Sequence, residues 1–231
     1  MKLIIFDIDG TLVYSNKVDS QCFADTYQEV YGLPFPTIDW RQYPAVSDTT
    51  IFDAVIQQHF QRRPDQSEME TFCEHFVAKI EEKRRTVPEE FQEVPGARQT
   101  IDHLREREDC LLGIATGGWE RPARVKLQHV GISLDTIFFS GADGHWTREN
   151  IIESVVTPAK RAHSGIEKII YIGDAIWDVT TTRNLGMDFV GVRRQHDREV
   201  LLSAGASHVI PNYEDFGTFW SAIEESQPPS S

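Results

Sequence analysis

An α/β fold, with a Rossmann-like mostly parallel sheet, helices on both faces and an inserted helical cap, is predicted by three features of the 231-residue sequence. Short apolar runs such as Leu3–Phe6, Cys110–Ala115 and Ile169–Ile172 alternate with amphipathic segments, the texture of strands buried on both faces. Between Ser15 and Val87 the alternation stops and only helical spacing remains. Each of the three runs also opens directly into Asp, Gly or Thr, and sites in such sheets lie beyond the carboxyl ends of the strands.

Taken in chain order, Leu3–Phe6 reads as a buried strand entering an acidic loop. Val18–Tyr31 carries Phe23, Tyr27 and Val30 at helical spacing and stops at Gly32 and Pro34. A second helix starts near Ser47 or Asp48, bears Ile51, Phe52, Val55, Ile56 and Phe60, and closes before Pro64. A third, Ser67–Lys83, lines up Met69, Phe72, Phe76, Val77 and Ile80. These three make residues 15–87 a cap, tethered near Tyr14–Ser15 and Val87–Glu93, on a discontinuous core of residues 1–14 and 88–225. Helices are expected over Gly96–Arg107, Arg121–His129, Arg148–Ala162 (interrupted or shortened near Pro158), Trp177–Leu185 and Tyr213–Ile223. Strands are expected over Cys110–Ala115, Thr136–Phe139, Ile169–Ile172, Phe189–Val192 and His208–Ile210. Residues 226–231 read as a frayed tail.

The bulk composition narrows the function. With 40% hydrophobic and 26% charged residues the chain has the balance of a soluble globular protein. A net charge of -13 and the absence of a basic run argue against nucleic acid, although a small basic pocket can hold one phosphate in an acidic protein. Cys22, Cys73 and Cys110 show no CxxC spacing and read as buried small hydrophobes, not a disulfide or zinc framework. No stretch approaches the roughly 20 apolar residues of a membrane span, and the start lacks a secretory apolar region. The expected location is cytoplasmic, with no membrane or protein partner indicated.

Asp7-Ile8-Asp9-Gly10-Thr11 follows the first strand, Ala115-Thr116-Gly117-Gly118 a middle one, and Gly173-Asp174, with Asp178, a later one. Any one of these is an ordinary strand-ending turn; their order suggests one site. Carboxylates converging there would repel unless a cation joined them, and Mg²⁺ prefers oxygen ligands. In this set of motifs the sequence resembles the haloacid-dehalogenase-like superfamily, in its phosphatase and phosphomutase branch with a small helical cap. The resemblance covers at least Lys2–Val192. It implies Mg²⁺-dependent hydrolysis of a small phosphorylated metabolite, with Asp7 as the nucleophile that forms an aspartyl phosphate. Asp9 would protonate the leaving oxygen and then activate water. Asp7, the backbone carbonyl of Asp9 and Asp174 would hold the metal, with Asp178 supporting that shell. Gly10, Thr116 and Gly117 would receive the phosphoryl oxygens.

The sequence departs from the family in its third motif, usually a lysine. Arg148 stands nearest to that position, with Lys160 as the alternative, and an arginine is bulkier but offers more directed donors. Tyr14, Asn16, Lys17, Arg41, Trp119 and His145 are candidates for contacting the leaving group. Trp119 and Trp177 are expected mainly to pack around the mouth of the site. A sugar-phosphate mutase is the alternative activity, and a phosphate-binding domain without turnover is the alternative outside enzymology. Dehalogenase chemistry is disfavoured by Asp9, which it does not need.

Overall fold

The computed structural model describes residues 1–194 and 196–230. The apolar run Lys2–Phe6 forms β1. The chain then makes a two-residue strand, β2 (Val13–Tyr14), and three helices, α1 (Asn16–Tyr31), α2 (Asp48–Phe60) and α3 (Gln66–Thr86). It returns through β3 (Gln92–Glu93), which pairs antiparallel with β2. The remainder alternates: α4 (Ala97–Arg105), β4 (Cys110–Ala115), α5 (Glu120–His129), β5 (Ile137–Ser140), α6 (Arg148–Ala162), β6 (Lys168–Gly173), α7 (Ile176–Leu185), β7 (Asp188–Val192), α8 (Glu199–Ser203), β8 (His208–Ile210) and α9 (Phe216–Glu225). The sheet is six-stranded and parallel, in the order β5-β4-β1-β6-β7-β8, with helices on both faces.

Register explains how distant motifs meet. Phe6 lies opposite Ile114 on β4 and opposite Ile172 on β6, so Asp7 leaves the sheet between Ala115 and Gly173. The central strands carry Leu3, Ile4, Ile5, Ile114, Ile170 and Ile172, all buried; at about 1.5–3 kcal/mol for each large apolar side chain, this layer holds the motif loops level with one another.

The three helices between β2 and β3 pack through aromatic rings. Phe72 has its centroid 5.0 Å from Phe23 and 4.5 Å from Phe52. Into this group projects Trp119, the residue preceding α5, with its ring stacked 5.9 Å from Phe23 and only 4% exposed. The apolar interior of the helical unit is thereby continuous with that of the sheet.

Several expectations are corrected. Pro158 does not interrupt α6: it sits on the exposed side, while Val155, Val156 and Ala159 keep the helix seated. The last helix starts at Phe216, because Asp215 caps it by accepting from the Thr218 amide; Tyr213 lies before it, buried. The short helix α8 had not been expected. Of the expected frayed tail Ser231 lies outside the described residues, and 226–230 are not frayed: Ser226 is buried, Gln227 bridges to Phe189 of β7, and the Ser230 amide donates to the Gly205 carbonyl.

Candidate active site

A cleft of about 220 Å³ opens where the carboxyl ends of β1, β4 and β6 face the helical unit. Asp7, Asp9, Thr116, Gly117, Arg148, Asp174 and Trp177 line it from the sheet side, and Asn16, Asp19, Ser20, Ile38, Trp40, Ser47 and Asp48 from the helical unit.

Its acidic floor is Asp7, Asp174 and Asp178, which can each offer an oxygen within 4.8 Å of the others. Asp178 is fully buried and engaged: it accepts from Arg148 Nη2 at 2.5 Å and from the Ala175 amide at 3.1 Å. Gly173 is required beside it, since a Cβ there would lie 2.5 Å from Asp178 Oδ2. Asp7 and Asp174 have no such saturation. Burial pushes Asp7 well above the usual carboxylate range, and Asp178 adds to it while Arg148 opposes. Burial, then Asp178, raises Asp174 to about 8. A further oxygen faces the same point: Asn16 Nδ2 lies 3.2 Å from the backbone oxygen of Asp9 and 3.4 Å from Asp174 Oδ2, so those two acceptors converge. Three carboxyl groups and a carbonyl, with the Arg148 guanidinium set against Asp7 and Asp178 and Arg193 acting on Asp174, form a donor set suited to a hard divalent cation. Gly10, at φ 82°, allows the approach, because a Cβ would collide with Asp174.

Arg148 forms the other wall. Its Nη2 reaches Asp178, Tyr171 Oη at 3.2 Å and Asp7 Oδ1 at 3.8 Å, and its Nη1 donates to the Val46 carbonyl at 3.2 Å. A Cβ on Gly117 would collide with this guanidinium. Lys160, the alternative considered for this place, is exposed on α6, about 18 Å further along the helix. Thr116 is buried at the end of β4, where its hydroxyl accepts from the Gly118 amide at 3.2 Å.

Segment 46–49 closes the cleft from above through named bonds. The Asp48 amide donates to the Gly117 carbonyl at 2.8 Å, and Asp48 Oδ2 accepts from the Trp119 amide at 2.8 Å. Thr49 Oγ1 donates to the Ala142 carbonyl at 2.6 Å and accepts from Trp119 Nε1 at 2.9 Å.

The family profile described as haloacid dehalogenase-like hydrolase matches residues 4–192. The chain belongs to this family. Among curated relatives of the haloacid dehalogenase-like chain is one named phosphorylated carbohydrates phosphatase, from Thermotoga maritima, 23% identical over 91% of this chain and 94% of that one. Solved structures share the fold: a hydrolase from Pseudomonas syringae, 20% identical, superposes with a TM-score of 0.72 over 96% of this chain and 99% of that chain. CbbY from Rhodobacter sphaeroides, solved with phosphate, is 16% identical with a TM-score of 0.67 over 93% and 96%.

The structure thus gathers the family motifs but leaves other candidates outside the cleft. Arg41 is 74% exposed and folded onto Asp39. Tyr14 lies under the Arg194 guanidinium, 4.8 Å from its ring centroid. Lys17 is exposed and absent from the lining. His145 faces Ser154 across 3.2 Å in a separate open groove. Trp119 is not at the mouth: its ring anchors the helical unit.

Asp19, Ser20, Ile38 and Val46 went unnoticed in the sequence, as did the place of Ser47, Asp48 and Ile51 on the cleft. A further omission is Lys126 on α5, 1% exposed. Its Nζ donates to Asp9 Oδ1 at 2.7 Å, to Asp9 Oδ2 at 2.6 Å and to Asp19 Oδ1 at 2.7 Å. Burial works against its charge, but Asp19 and Asp9 outweigh that and push the ammonium pKa up. Its signal was present, since Lys126 interrupts the buried stripe of Ala123 and Leu127, where an unpaired charge would be costly.

Proposed function

We propose that this chain hydrolyses small phosphomonoesters through an aspartyl phosphate on Asp7. The observation that carries the reading is the placement of the Asp7 carboxyl between the Arg148 guanidinium and the Thr116–Gly117 turn, with Asp9 on the same cleft. A phosphoryl group seated against Arg148 and the Thr116 hydroxyl presents phosphorus to Asp7. The new Asp7 Oδ–P bond forms as the ester P–O bond breaks, and Asp9 delivers a proton to the departing oxygen. Asp9, left as a carboxylate, then takes a proton from the water that cleaves the acyl phosphate, which restores both aspartates. Mg²⁺ is the cation suited to Asp7, Asp174 and the Asp9 carbonyl, with Asp178 behind them; when bound it keeps the carboxylates ionised and offsets the phosphate charge. The helical unit, residues 15–87, serves as the cap that limits water and selects the leaving group.

The cap side of the cleft supports a polar, hydroxyl-bearing leaving group. Asp19, Ser20, Ser47 and Asp48 line the cleft there, beside Trp40. The name of the Thermotoga maritima relative, a phosphatase of phosphorylated carbohydrates, agrees with a sugar phosphate. A mutase working through a bisphosphate needs a second phosphate seat; among the described lining residues the cation is Arg148, and the opposite wall carries acids. This charge distribution favours hydrolysis.

The test is release of inorganic phosphate from a phosphomonoester panel with Mg²⁺, comparing the parent with Asp7→Asn and Asp9→Asn. Hydrolysis lost in Asp7→Asn and trapping of phosphate on Asp7 in the parent are expected. Turnover undiminished by Asp7→Asn, or interconversion of phosphate isomers without net release, overturns the proposal.

A further inference from the structure

We infer that Lys126 is a positioning residue that orients the Asp9 carboxyl group toward the leaving oxygen. This rests on the reading of Asp9 as the proton donor to that oxygen.

Asp9 sits on a turn beyond β1, where its side chain would otherwise rotate. Instead both of its oxygens meet one nitrogen, at 2.7 and 2.6 Å, and Ser15 Oγ donates to Oδ1 at 2.5 Å. Two bonds to a single ammonium define the plane of the carboxyl group as well as its place. An ammonium has three donors, and the third goes to Asp19 Oδ1 on α1. Lys126 therefore has no donor left for a phosphate, and it is absent from the cleft lining. Its stem is held by α5, whose neighbouring Ala123 and Leu127 are buried at 0% and 1% exposure. Asp19 keeps the buried ammonium paired while Asp9 engages the substrate, which a simple Lys126–Asp9 pair would not do.

A merely structural ion cluster joining α1, α5 and the Asp9 turn would share these distances, so the test must read proton donation itself. Dinitrophenyl phosphate has a leaving group that departs without a proton, whereas phenyl phosphate needs one. The ratio kcat/KM covers binding and the step in which the leaving group departs, so both esters are compared in that quantity, with Mg²⁺, for the parent and Lys126→Met. Positioned acids contribute about 100-fold or more to such steps. Lys126→Met is expected to lose about that factor on phenyl phosphate and less than about 3-fold on dinitrophenyl phosphate. In an Asp9→Asn background the same substitution should cost little more on phenyl phosphate, because its route through Asp9 is already gone.

Equal losses on the two esters, or an undiminished effect of Lys126→Met in the Asp9→Asn background, overturn the proposal and leave a structural cluster. Thermal melts and near-ultraviolet circular dichroism establish that the variant folds. If Lys126→Met does not fold, Lys126→Gln is read by the same ester pair and the same criteria, and failure of both to fold also overturns the proposal. Failure of the underlying reading looks different. In that case the parent releases no phosphate, or Asp9→Asn alone affects both esters equally.

Discussion

Arg148 shows how one side chain can join the stability of the fold to the proposed chemistry. It is the cation facing Asp7 and Asp178, it donates to Tyr171, and it reaches the Val46 carbonyl across the cleft. Removing one partner of a buried ion pair leaves the other uncompensated, at about 3–5 kcal/mol. Arg148→Met is therefore expected to lower the unfolding free energy by about that much, read from urea titration, and to abolish phosphate release. A loss of activity at unchanged stability would mean that the Asp178 carboxyl is held by the Ala175 amide alone. Asp174 ties the site to pH. A carboxyl raised to about 8 in the folded protein keeps a proton that the unfolded chain has already released, so stability falls as pH rises from the ordinary carboxylate range toward 8. The metal-free protein should melt at a lower temperature at pH 8 than at pH 5. Saturating Mg²⁺ should raise Tm more at pH 8, where protons compete less for Asp174 than at pH 5. An equal rise at both pH values would remove Asp174 from the metal site.

At the scale of elements, the join between the helical unit and the sheet is the informative feature. The three helices were legible because each shows apolar residues at helical spacing with a stop signal. What the spacing did not carry was which outside residue they close upon. That residue is Trp119, ringed by Phe23, Phe52, Phe72 and Phe76. Truncating it to alanine empties the joint, at about 3–5 kcal/mol. It also removes the indole donor to Thr49. Trp119→Ala should shift the urea midpoint accordingly and weaken substrate selectivity across a phosphomonoester panel, since segment 46–49 would lose its seat. An unchanged midpoint would show that the hydrogen bonds of Asp48 and Thr49 hold the unit without the ring. Lys126 teaches a related lesson on α5. A lysine on the buried stripe announces a partner, but Asp9 and Asp19 are far away in sequence, and only the placing of α1 and α5, each against α3, beside the turn after β1 names them.

At the scale of the whole molecule, the net charge of -13 opposes the approach of any phosphorylated substrate, and more strongly a doubly phosphorylated one. With a Debye length of about 10 Å at 0.1 M ionic strength, added salt screens that repulsion. For a sugar bisphosphate, kcat/KM is expected to rise more with salt than for the corresponding monophosphate, while remaining lower at every ionic strength. A bisphosphate preferred at low salt would contradict the acidic cap side of the cleft. Among the described residues no helix is long and apolar enough to cross a membrane.

Local order along the chain was enough to establish the parallel sheet, the helical insertion and the three motif loops. Buried strands must be apolar, helices must repeat their apolar face, and strand ends in such sheets carry the chemistry. The same order made Asp7, Asp9, Thr116, Asp174 and Asp178 candidates for one site, and the family resemblance added Arg148. Tertiary structure alone decided which side chains face that site. It placed Asp19 and Asp48 on its upper wall, turned Arg41 and His145 away, sank Trp119 into the join, and set Lys126 against Asp9. The reason is physical: a helix or strand period specifies which residues are buried, whereas the partner each one meets depends on how whole elements pack, and that is not encoded in the spacing of any single segment.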